Sequence, residues 1–111
     1  MNFLKLYLAI LAVGFASSVL ACDYPPLVAI PEADNATMDD MVAAQESVRG
    51  YMESMDTYLT CVNEELAAAG DDAPDEFKAI MVSRHNAAVA EMEAVAESWN
   101  EERTAFLEEN Q

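Results

Sequence analysis

His85 is the single histidine of a 111-residue chain that also carries two cysteines, seven methionines and 21 acidic residues. Three chemistries could be built from that set. A Cys61–His85 nucleophile needs a free thiolate and a third group to orient the imidazole, and no third group stands at a suitable spacing. Carboxylates suit hard cations, yet there is no Glu-x-x-His pair for a di-iron bundle and no acidic loop with a central glycine for calcium. Asp71, Asp72, Asp75 and Glu76 cluster around one turn, where helix capping and solvation explain them. Met38, Met41, Met52, Met55, Met81 and Met92 could hold copper(I), but they recur at the spacing of a helical core. Phosphate-cradling glycine loops, a nucleophile elbow and Cys-x-x-Cys are absent from the sequence. The reading is therefore no catalytic residues, no cofactor and no metal, with His85 a half-buried histidine capped by a tyrosine or carboxylate.

The elements around these residues are helical. From Met38 to Ala69 a set that is apolar but for Gln45 (Met38, Met41, Gln45, Val48, Met52, Met55, Leu59, Val62, Leu66, Ala69) steps by three and four, the spacing of one helix laying a stripe on another. Thr37 is the expected N-cap with Asp40 completing a capping box, and Gly70 is the expected left-handed stop. Pro74 opens a second helix as its first residue, running to about residue 108 with Phe77, Met81, His85, Ala88, Met92, Val95, Trp99 and Phe106 inward. Glu102 and Arg103 interrupt that stripe, so the last turns are expected to fray or to contact something else. A turn so short makes the helices antiparallel neighbours. The expected fold is all-α: an antiparallel, coiled-coil-like two-helix hairpin over residues 37–109, preceded by an extended, proline-rich arm over residues 22–36.

Residues 1–21 read as a secretory signal peptide. Lys5 supplies the positive start, an apolar stretch follows, and small residues precede a cleavage site after Ala21. The chain beginning at Cys22 keeps four basic residues against 21 acidic ones, a formal charge of −17. Such a chain is repelled by phosphate backbones and anionic headgroups, which disfavours nucleic acid and membrane surfaces as partners.

In an oxidising compartment Cys22 and Cys61 allow one disulfide. The alternative is a lipoprotein, since Val19-Leu20-Ala21-Cys22 loosely resembles a lipobox whose cysteine becomes acylated. Pro25, Pro26 and Pro31 keep the arm out of a helix. Fifteen polyproline-like residues reach about 46 Å, against about 36 Å of helical rise from Thr37 to Cys61. The arm can thus double back along the first helix, with Tyr51 and Tyr58 as the floor under Tyr24, Leu27, Val28 and Ile30.

Cys22 with its following prolines, Ala36-Thr37, Met41, Tyr58-Leu59-x-Cys61 and His85-Asn86-Ala87-Ala88-Val89-x-Glu91-Met92-Glu93-x-Val95-Ala96 resemble a family of small, exported, uncharacterised bacterial proteins. The resemblance spans nearly all of the chain after residue 21 and implies export and the helical hairpin, with no activity, ligand or partner attached. The residues point to a periplasmic or secreted, non-enzymatic interaction module that packs against a protein partner or a second copy, because two helices alone bury little. The alternative function is a pH-responsive periplasmic binder or chaperone that loses its self-repulsion in acid.

Overall fold

The computed structural model describes residues 22–111, and the expected signal peptide with its cleavage site after Ala21 lies outside them. Two helices form a hairpin, α1 over Met38–Ala69 and α2 over Asp75–Glu109, with one 3-10 turn at Ala33–Asn35 before them. There is no strand among the described residues. None of the described helices is long and apolar enough to cross a membrane.

Local chemistry sets the helix ends. At the start of α1 the Thr37 hydroxyl accepts the Asp40 N–H at 3.1 Å while an Asp40 carboxylate oxygen accepts the Thr37 N–H at 2.8 Å. Those two bonds satisfy donors that a helix otherwise leaves bare, and they hold the Asp40 carboxyl below its ordinary range. Gly70 ends α1 at φ 74°, ψ 179°. Its φ is positive as expected, but its ψ lies outside the left-handed helical well, in a region essentially open to glycine alone. Pro74 is not the first residue of α2 but the extended residue before it, at φ −56°, ψ 142°. Asp75 and Glu76 then occupy the positive end of α2.

The buried stripe of α1 is Met41, Ala44, Val48, Tyr51, Met55, Tyr58 and Val62. This corrects the sequence-derived seam by a rotation of the helix. Met41, Val48, Met55 and Val62 are shared, while Gln45 is exposed and Met52, Leu59 and Leu66 are only half-buried. Met38 is 58 % exposed. Ala44, Tyr51 and Tyr58, on the other flank, are buried instead. The reason is the arm, which lies on that flank and on no other. From α2, Met81, Ala88, Val95 and Phe106 complete the core.

Candidate functional site

The arm runs antiparallel to α1. Its start is tied by a disulfide between Cys22 and Cys61, whose Cα atoms lie 5.6 Å apart. Cys22, Val28 and Ile30 pack on the core cluster that contains Tyr51, Tyr58 and Met55, and Pro25 is buried. Leu27, expected on the helical surface, is instead 74 % exposed. An extended chain turns successive side chains to opposite sides, so seating Val28 and Ile30 turns Leu27 out.

Three elements meet at Glu91 of α2. Tyr51 of α1 donates its hydroxyl to one carboxylate oxygen at 2.7 Å, and Tyr24 of the arm donates to the other. The Tyr24 ring stands edge-on to Tyr58, with centroids 4.9 Å apart, a favoured aromatic geometry. Burial, reinforced by the hydrogen bond to Glu91 and its negative charge, pushes the Tyr24 hydroxyl up to about 12 and the Tyr51 hydroxyl up as well. Both phenols stay protonated and donating at neutral pH.

A second carboxylate of α2 holds the far end of the arm. The N–H of Ala33 donates to Glu102 at 2.8 Å, and Ala33, Met41 and Phe106 form a small buried cluster. The last turns of α2 therefore do not fray; they are the seat of the 3-10 turn. Glu109 is close enough to Asp34 for a carboxyl–carboxyl hydrogen bond, which raises its pKa. Glu91 and Glu102 were missed by sequence reasoning. They are eleven residues apart, three helical turns on one face, and that spacing was the available signal.

The donor set that could be mistaken for a metal site sits at the disulfide. The sulfurs of Cys22 and Cys61 and a carboxylate oxygen of Glu65 lie within 4.8 Å of one another. Bonded to each other, the sulfurs offer no thiolate to an ion. One Glu65 oxygen is buried there without a hydrogen-bond partner. His85 is half-buried, but its Nδ1 atom is buried and unpaired. The tyrosine or carboxylate cap expected for it is not there, because the nearby tyrosines turn to the arm side and to Glu91.

Opposite the arm, the groove between the helices has no cover. Met52, Leu59 and Leu66 of α1 and Phe77, Met92 and Trp99 of α2 are half-buried along it. At the open end of the hairpin a cavity of about 100 Å³ lies between Met38, Val42, Gln45, Trp99, Arg103 and Leu107. The molecule is thus a hairpin strapped on one face and open on the other. Protein-family models, curated proteins and solved structures give no match to this chain.

Proposed function

We propose that this chain is an exported, non-enzymatic envelope protein that works by packing its uncovered helical face against another protein. The observation that carries the reading is the asymmetry between the faces: one is sealed by the arm, and the other leaves a row of half-buried apolar side chains with a small cavity at its open end. A continuous apolar stripe on a soluble helix pair marks an interaction surface. The polar groups that come together support the same reading, since Glu91 is spent on holding Tyr24 of the arm and Tyr51 of α1. Export is supported by the Lys5-led apolar start, the disulfide and the heavy acidity. The bridge also engages the Cys22 sulfur that acylation would require.

The test is a native-size separation of envelope extracts from a producing cell. The chain should migrate in an assembly larger than one copy, and M52E/L59E should migrate as a single chain with its disulfide intact. Wild-type protein that migrates as one chain in those extracts refutes the packing role. Recovery of the chain only in the cytoplasm refutes export.

A further inference from the structure

We propose that the anchor of the arm doubles as a zinc site: once the Cys22–Cys61 bridge is reduced, the two thiolates and the Glu65 carboxylate hold one Zn2+ ion. This site is independent of the packing role proposed above.

The donors come from two elements. Cys61 and Glu65 stand four residues apart on α1, so their side chains rise from one face of the helix. The arm brings Cys22 to the same place, and the two sulfurs and a Glu65 carboxylate oxygen lie within 4.8 Å of one another. Zinc binds sulfur at about 2.3 Å and carboxylate oxygen at about 2.1 Å, so donors sharing a tetrahedral ion stand between about 3.5 and 4 Å apart. The cysteine Cα atoms are 5.6 Å apart. Turning about the two Cα–Cβ bonds therefore parts the sulfurs far enough with the backbone in place.

Two further features prepare this cluster for an ion. One Glu65 oxygen is buried without a hydrogen-bond partner, a costly state that a cation shared with the sulfurs relieves. Cys22 is also held near α1 by more than its own sulfur. Two residues on, the Tyr24 ring stands edge-on to Tyr58 and its hydroxyl donates to Glu91, and Pro25 beside it is buried. Opening the bridge thus leaves the third donor close to the other two.

Two thiolates with one carboxylate suit borderline-soft zinc rather than calcium or magnesium, which take oxygen ligands alone. Water fills the fourth position. In the oxidised chain the bonded sulfurs are closed to an ion. A dithiol reductant opens the S–S bond by delivering two electrons and two protons, and is itself oxidised to a disulfide. The ion then takes both sulfurs as thiolates, and the two thiol protons pass to solvent. Zinc so bound closes the same link, between residues 39 apart, that the bridge closes. The strap has one clasp for each redox state.

Cobalt(II) titration of the protein purified from an exporting host, reduced with a dithiol and freed of it without oxygen, tests the site. Co2+ stands in for Zn2+ and reports thiolate ligands by a sulfur-to-cobalt charge-transfer absorption. Reduced wild type should take up one Co2+ with that absorption, and one equivalent of Zn2+ should abolish it. The oxidised protein should show none. Compared at equal helix content by circular dichroism, Glu65→Gln should bind at least about tenfold more weakly, since loss of even an outer partner costs a metal site that much. Glu64→Gln, which alters the exposed neighbour, should bind as the wild type does. A reduced wild type without the absorption overturns the proposal. So does Glu65→Gln binding as tightly as wild type, Glu64→Gln weakened to the same degree, or Cys22→Ser retaining full affinity.

Discussion

The two flanks of α1 both carry large apolar side chains but have different fates. On one, Ala44, Tyr51 and Tyr58 are buried under the arm. On the other, Gln45 is exposed and Met52 and Leu59 are half-buried. Helical periodicity treats the flanks alike, since both continue the row of Met41, Val48, Met55 and Val62. What separates them is a non-local element, tied on by one disulfide, the Tyr24 hydroxyl and the Ala33 N–H, the last two bonded to two carboxylates of α2. The difference teaches that a hairpin too small for a full core can close one side with its own chain while the other stays part-open to solvent.

The strongest way to erase the difference is to cut the strap. Replacing both cysteines by serine removes a link between residues 39 apart, and the chain-entropy account makes that loss about 4 kcal/mol. Urea unfolding of the bridged and serine forms measures it. A variant with unchanged stability would mean that the arm holds without its sulfur.

Paired truncations sharpen the comparison next. Met55 is completely buried, so Met55→Ala should cost about 3 kcal/mol through lost contacts and a cavity. Met52→Ala, on the open flank, should cost under about 1 kcal/mol in dilute protein. Equal costs would show that the flanks are equally covered.

Glu91 comes third. Glu91→Ala leaves two tyrosine hydroxyls without their acceptor and should cost about 2 kcal/mol. The same junction gives the fold an alkaline limit. The folded phenols titrate above the unfolded value of about 10, so their contribution is complete below that pH. It is lost as pH rises through about 12, where Tyr24 ionises. A tyrosinate absorbance titration of the wild type should show two late phenols, and Glu91→Ala should bring them back toward ordinary values. Unshifted wild-type phenols would remove the junction from the account.

A further small effect lies at the base of α1. Thr37→Ala breaks the capping box and should cost about 1 kcal/mol by thermal unfolding. The Asp40 carboxyl, held low by that box, contributes above its unfolded value of 3.8 and is lost as pH falls through its lowered pKa. The variant should therefore lose part of the wild type's sensitivity to acid.

Much of this was legible from residue order. Thr37 and Asp40 announce the cap, Gly70 the stop, and the three prolines an arm that cannot be helical; Cys22 and Cys61 then leave one bridge to make. The rotation of α1 was not legible, because Tyr51 and Met52 stand next to each other and hydropathy alone favours turning the methionine inward. Which of them turns inward depends on where the arm lies. Glu91 and Glu102 were hidden for a different reason: a periodic reading assigns carboxylates to solvent, whereas these two accept hydrogen bonds from a segment more than sixty residues away. His85 was misjudged in its partner, because Tyr58 turns to the arm, where it meets the Tyr24 ring, and Tyr51 serves Glu91.

Methionine oxidation by peroxide, followed residue by residue in the folded protein, tests the account most directly. Met55 and Met81, fully buried, should resist oxidation. Met38, Met52 and Met92, on the side away from the arm, should oxidise more readily. Uniform reactivity of all five would contradict it.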